Sequence, residues 1–299
     1  MAFLIMGLLV LAINRTAQGL NTDPTIRVSV ASSGTQANGL SDQAGVTSDG
    51  RYVVFASEAS NLVAEDTNEE SDIFLHDRLT GTTTCISVAP DGTIGNGMSE
   101  KPSITPDGRY IVFRSGARNL VAGDTNLNYD IFVYDRQTGV MEFASNGADG
   151  SQPTVGPNNP TITDDGRYVA FDSASPNLVA NDTNGWDDVF VHDRVNDTTI
   201  RVSVNSSSVQ GNYFSRDPFI AGDGRYVVFT SYATNLVSND TNGVLDVFCT
   251  ICKEDPPSGF PCPVSDLFRA TAPLPMPRYP QMDSMWFLNP RRTIFCGRI

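Results

Sequence analysis

One short pattern, Asp-Thr-Asn-x-x-x-Asp, carries most of the chemistry this chain could do, and it occurs four times. It groups Asp66, Asn68 and Asp72; Asp124, Asn126 and Asp130; Asp182, Asn184 and Asp188; and Asp240, Asn242 and Asp246. Calcium takes roughly six to eight oxygens from a curling loop. Carboxylate and amide oxygens spaced this way can converge on one ion, with backbone carbonyls and water completing the shell. Ca2+ is therefore the expected cofactor. The loop lacks the glycine and the closing glutamate of an EF-hand, so it is not one. The same side chains have a second use. Asp and Asn accept hydrogen bonds from backbone N–H groups two residues on and pin turns without metal. Glu65, Glu69 and Glu70 tilt the first loop toward metal.

Other chemistry finds little support. His76 and His192 are the two histidines, and both occupy a repeated position that holds Tyr134 in another unit. A position that accepts either residue reads as structural. There is no Gly-x-Ser-x-Gly nucleophile elbow and no phosphate-cradling glycine loop. Paired carboxylates could hydrolyse a glycoside, but each repeat supplies the same acids and no unit stands out. No catalytic residue is assigned and the chain is expected not to be an enzyme. Its net charge of −14 repels phosphate backbones, which argues against nucleic acid.

These loops belong to a repeat. Asp49-Gly-Arg-Tyr52 returns at Asp107–Tyr110, Asp165–Tyr168 and Asp223–Tyr226, each step being 58 residues. The Asp-Thr-Asn pattern keeps the same step, so the array holds no insertion. One unit predicts four strands: Pro102–Thr105, Tyr110–Phe113, Asp130–Asp135 and Val140–Ser145. Asp-Gly and Thr-Gly pairs make the turns between them. The second strand is apolar on both faces, as in a sheet covered on both sides. No segment shows sustained helical periodicity. The expected fold is all-β: a β-propeller of four-stranded antiparallel blades, incomplete in this chain. The arginine after each Asp-Gly is expected either to reach a carboxylate in a neighbouring blade or to lie over the strand.

Ser48-Asp-Gly-Arg-Tyr-Val-Val-Phe55 and Pro106-Asp-Gly-Arg-Tyr-Ile-Val-Phe113 resemble the signature of the TolB-like, WD-type propeller repeats of bacterial secreted proteins. The resemblance covers roughly residues 25 to 248. It implies a propeller that serves as an interaction platform for a protein or an envelope and surface ligand. Similar propellers also precede peptidase domains. The alternative it leaves open is the N-terminal propeller of a larger hydrolase, a peptidase or a glycan-acting enzyme. The sialidase-type Asp box is not matched.

The ends differ from the array. Residues 1–20 read as a signal peptide: an apolar run from Met1 to Ile13 too short to span a bilayer, then Ala17-Gln-Gly19. A periplasmic or extracellular location follows, with no transmembrane span. Residues 21–248 are the propeller repeats: three full blades, one partial blade and a lone N-terminal strand. That strand, Thr25-Ile-Arg-Val-Ser-Val30, matches the fourth strand Thr199–Val204 and would complete a blade supplied from the far end. Residues 249–299 read as a poorly structured, frameshifted tail. Back-translated from the third base of Cys249, the permitted codons spell His or Tyr, then Asp, and soon Thr-Ile-Arg-Val-Ser-Val. Farther on they spell a new Asp-Gly turn and second strand. One lost base accounts for this. It makes Cys249-x-x-Cys252 an accident of frame rather than a zinc or redox motif.

Overall fold

The structure is a computed structural model that describes residues 25–252 and the backbone of 268–269. The signal-peptide segment and nearly all of the tail lie outside the described residues. The repeat folds into four sheets of identical topology. The first blade holds β1 (Ser41–Val46), β2 (Tyr52–Ser57), β3 (Asp72–Asp77) and β4 (Thr82–Cys85). The second holds β5 (Ser99–Ile104), β6 (Tyr110–Ser115), β7 (Asp130–Asp135) and β8 (Val140–Phe143). The third holds β9 (Asn158–Ile162), β10 (Tyr168–Ser173), β11 (Asp188–Asp193) and β12 (Thr198–Arg201). The fourth holds β13 (Ser215–Ile220), β14 (Tyr226–Ser231), β15 (Asp246–Ile251) and β16 (Phe268–Arg269). Every blade is an antiparallel meander in chain order. The first strands of successive blades lie side by side around the axis. These are propeller blades in an array that does not close. No helix of the described residues is long and apolar enough to cross a membrane.

Packing follows from strand periodicity. Alternate residues of the middle strands point to opposite faces, so each blade feeds two cores. Val54 and Leu75 of the first blade meet Ile111, Phe113 and Phe132 of the second. Val112 and Val133 meet Val169, Phe171 and Phe190 of the third. Ala170 and Val191 meet Val227, Phe229 and Phe248 of the fourth. Inside each blade a phenylalanine of the second strand stacks on one of the third. The pairs are Phe55–Phe74, Phe113–Phe132, Phe171–Phe190 and Phe229–Phe248, at 5.8–5.9 Å. The free face of the fourth blade is different. Val247 is 54% exposed, whereas its counterparts Ile73, Ile131 and Val189 are fully buried.

The first three Asp-Gly turns are built alike, and the fourth has Ala221 in place of the threonine. Thr47 donates to Asp49 Oδ1 at 2.6 Å, and Asp49 Oδ1 also accepts from Arg51 N at 2.9 Å. Gly50 sits at φ +70°, a conformation that costs a side chain strain. The following arginine reaches an acid in its own blade, not a neighbouring one. Arg51, Arg109 and Arg167 clasp Asp77, Asp135 and Asp193 with two bonds each, at 2.8–3.2 Å. The reason is register: Tyr52 pairs with Asp77 across β2 and β3, which brings Arg51 beside that acid.

Two expectations concern the ends of the array. Residues 25–30 form no ladder strand among the described residues. They make one bridge, Val30 to Gln36, matching the bridges Val88–Ile94 and Val204–Gln210 of the blade connectors. A strand needs a partner edge, and none of the four sheets offers one there. At the other end the blade does not stop at Phe248. β15 runs on to Ile251, with Tyr226 opposite Ile251, as Tyr110 is opposite Asp135. Thr250 and Cys252 are buried, the latter in the core shared by the third and fourth blades.

Candidate functional site

In each Asp-Thr-Asn loop the asparagine and the closing aspartate are bonded to one another. In the first, Asn68 Oδ1 accepts from Glu70 N at 3.0 Å, while Asn68 Nδ2 donates to Asp72 Oδ2 at 2.8 Å. Asp72 Oδ1 accepts from Ser87 at 2.6 Å. The same Asn-to-Asp bond joins Asn126 to Asp130, Asn184 to Asp188 and Asn242 to Asp246, at 3.0–3.1 Å. The amide therefore turns its nitrogen, not its oxygen, toward the acid. This is turn chemistry, and it ties the start of the third strand to the end of the fourth. Among the described residues no three His, Cys, Asp or Glu side chains gather as a metal cluster. Burial pushes the acids at the strand start upward: Asp72 and Asp188 to about 6, Asp130 to about 7.

Both histidines are buried, and each shares a hydrogen bond through Nδ1 with a fourth-strand threonine, Thr83 or Thr199. Burial lowers both pKa values, which favours the neutral ring. These histidines brace the outer strands.

A repeat shows its function where it stops repeating. Two such places lie at the third and fourth blades. The first is axial. A bulge in each innermost strand puts Gln43, Lys101, Asn159 and Asp217 in the left-handed region, φ +49° to +55°, at 58-residue steps. Only the backbone repeats; the residues do not. Gln43 accepts from Lys101 N, Lys101 Nζ donates to Asn158 and Asn159, and Asn159 donates to Asp217. Asn159 also donates to Asp172 at 2.8 Å, and Asp217 N donates to the same oxygen at 3.1 Å. The positions of Asp172 and Asp217 hold no acid in the other units. The expectation that no unit stands out in its acids is thus corrected.

Asp172 makes a testable point. Burial raises its pKa to about 6, against hydrogen bonds from Asn159 and Asp217 N that lower it; Asp187 and Asp217 add to the rise. The folded chain then holds more protons than the unfolded one between about pH 4 and 6, so stability falls as pH rises through that window. Asp72, Asp130 and Asp188 act in the same sense. Asp172→Asn is expected to reduce the fall between about pH 4 and 7 by about 2 kcal/mol, read from urea midpoints. An unchanged slope would show that Asp172 is ionised in the fold.

The second place is a cluster of rings. Trp186, from the third Asp-Thr-Asn loop, lies 4.3 Å from Tyr213 of the connector into the fourth blade. Tyr213 is 5.2 Å from Phe214 and 6.0 Å from Tyr232, and Phe214 is 5.1 Å from Tyr232. Arg216 lies over Phe214 at 4.5 Å and pairs with Asp187, bonding it through Nε at 2.6 Å. Trp186, Tyr213 and Tyr232 are each 38–39% exposed. The equivalent residues elsewhere are Glu70 and Asn128, Gly97 and Val155, and Gly116 and Ala174. The second-to-third junction holds a single ring, Tyr129, against the connector glycine Gly156 and under Arg114, so the clustering of rings is particular to the third and fourth blades. The open end does not expose them, since this junction is covered by blades on both sides. Sequence reasoning followed the motifs that recur; the signal here was a departure from recurrence.

No protein-family model matches the chain, and no curated protein does. Among solved structures it is similar to TolB from Acinetobacter baumannii, at 19% identity and a TM-score of 0.43 over 71% of this chain and 41% of that one. It is similar to the putative TolB from Agrobacterium tumefaciens, at 18% and 0.42 over 70% of this chain and 60% of that one. It is also similar to the β-propeller domain of the Trilobed protease from Pyrococcus furiosus, described as having an open velcro topology, at 12% and 0.45 over 78% and 57%. The chain spans about two fifths and three fifths of the lengths of the two TolB chains.

Proposed function

We propose that the chain is a non-enzymatic, extracytoplasmic binding scaffold whose ligand, a protein or envelope-surface component, seats on the aromatic face of the third and fourth blades. The observation that carries this reading is the cluster of Trp186, Tyr213 and Tyr232, exposed on a scaffold that has no aromatic residue at the matching positions of its other units. Exposed Trp and Tyr supply large contact area at low entropic cost and dominate many binding surfaces. The Arg216–Asp187 pair beside them gives a polar rim.

The test is co-sedimentation of the purified chain with cell-envelope fragments. The triple variant Trp186→Ala, Tyr213→Ala, Tyr232→Ala is expected to lose about tenfold or more in retention while melting with wild type. Equal retention would remove the aromatic face from the reading. The hydrolase alternative turns on the gene. Ile251 stands where Asp77, Asp135 and Asp193 close the clasp in the other blades, and the shifted frame restores an aspartate there. Resequencing across the codons for Phe248 to Thr250 is expected to reveal a missing base. A restored frame running into a Gly-x-Ser-x-Gly segment would replace the scaffold reading with the hydrolase one.

A further inference from the structure

We propose that the first repeat binds a divalent cation of calcium's size and hardness between Asp66 and Asp72, in the place that a guanidinium fills in the third repeat. The third repeat shows the site occupied. Arg201 Nη1 lies 3.3 Å from Asp182 Oδ1 and 3.1 Å from Asp188 Oδ2, between carboxylates that are 3% and 0% exposed. It also donates to Gln210 Oε1 at 2.5 Å, and Nη2 donates to the carbonyl of Asn181 at 3.4 Å. Four oxygens from four residues thus surround one positive group. Asn184 keeps its bond to Asp188 at the same time, so the pinned turn does not exclude a cation.

The repeat step carries three of these four oxygens to the first blade; Ile94 stands at the position of Gln210. Asp182 and Asp188 correspond to Asp66 and Asp72, the Asn181 carbonyl to that of Glu65, and Arg201 to Cys85. Asp66 and Asp72 are both buried. Cys85 lies beside them: its Sγ is 3.5 Å from Ser87 Oγ, which donates to Asp72 Oδ1 at 2.6 Å. Two buried carboxylates therefore remain without the positive charge that their counterparts have. Glu70 adds negative charge beside Asp72. The leading acid of this loop is also short of partners elsewhere, since Asp124 Oδ1 and Asp182 Oδ2 are buried with no hydrogen-bond partner. The second repeat is set apart because Arg118 already lies near Asp124, and Phe143 fills the arginine position. Exchanging Arg for Cys removes the long cationic side chain from between the two carboxylates. Calcium accepts a few carboxylates with carbonyls and water in such a setting, whereas zinc would demand a closed set of four ligands. The third-repeat loop, by contrast, needs no metal, because Arg201 is its cation.

The experiment uses the full chain in thermal melts with millimolar calcium or excess chelator. Calcium is expected to raise the midpoint by about 5 °C. Cys85→Arg is expected to raise the midpoint in chelator and to abolish the calcium shift. Asp66→Asn is expected to abolish the shift without that gain, and serves if the arginine variant does not fold. Arg201→Cys is expected to lower the midpoint in chelator and enlarge the calcium shift. No calcium shift in wild type, or a shift that survives both Cys85→Arg and Asp66→Asn, overturns the assignment. Envelope binding through Trp186 is read separately, so neither result stands in for the other.

Discussion

Replacing Phe132 with alanine is expected to destabilise the chain by about 4 kcal/mol, the largest single effect in the array. Phe132 is fully buried in the core between the first and second blades. It stacks on Phe113 at 5.9 Å and meets Phe143 at 5.2 Å, so truncation opens a cavity lined from three strands. Interiors packed at crystal-like density relax little into such a hole. Val247→Ala truncates a side chain on the open face of the end blade, 54% exposed, and is expected to cost far less. Urea unfolding of both variants measures the difference. Equal costs would mean that the blades do not share their cores in the way the structure shows.

Arg167→Met is expected to cost about 3 kcal/mol, because it leaves the carboxylate of Asp193, 3% exposed, without its guanidinium. Hydrogen bonds from Val195 N and Asn196 persist and keep the cost from being larger. Arg51→Met removes the same clasp where both side chains are more exposed, and a smaller cost is expected. Asp193 has its pKa lowered, with hydrogen bonds from Arg167 and its neighbours outweighing the opposing effect of burial. A lowered acid stabilises above its unfolded pKa, and that contribution is lost as pH falls. The gap between wild type and Arg167→Met should therefore narrow below about pH 4. A double-mutant cycle with Asp193→Asn checks it. A coupling under about 0.5 kcal/mol would reduce the clasp to an ordinary surface pair.

The fold was largely legible because its signals were local and said four times. Asp130–Asp135 was predicted as a strand to the residue, since an apolar run between a loop acid and a Thr-Gly turn leaves little choice. The first strand was placed late: β5 starts at Ser99, and its half-polar sequence hides a bulge at Lys101 that breaks the alternation. Residues 25–30 carry the composition of a strand, but strandhood belongs to a pair, and the strands expected to complete their blade are not among the described residues. The site was less legible for a related reason. Spacing put Asn68 near Asp72, but it could not say which end of the amide faces the acid. The arginine clasp needed the β2–β3 register, because Arg51 and Asp77 lie 26 residues apart. Trp186 and Tyr213 lie as far apart and meet only through the connector between blades.

Every unit keeps a step of 58 residues, and every junction uses the same positions. That regularity has a hereditary side. Unequal crossing-over between two copies of the gene, in register, deletes or duplicates one whole unit and leaves each surviving junction with its proper partners. Slippage of this kind changes the number of blades without creating a misfit, so alleles of this locus should differ in length by multiples of 174 base pairs, three for each residue of the step. A slip of a single base has the opposite outcome: it spares everything upstream and scrambles everything downstream.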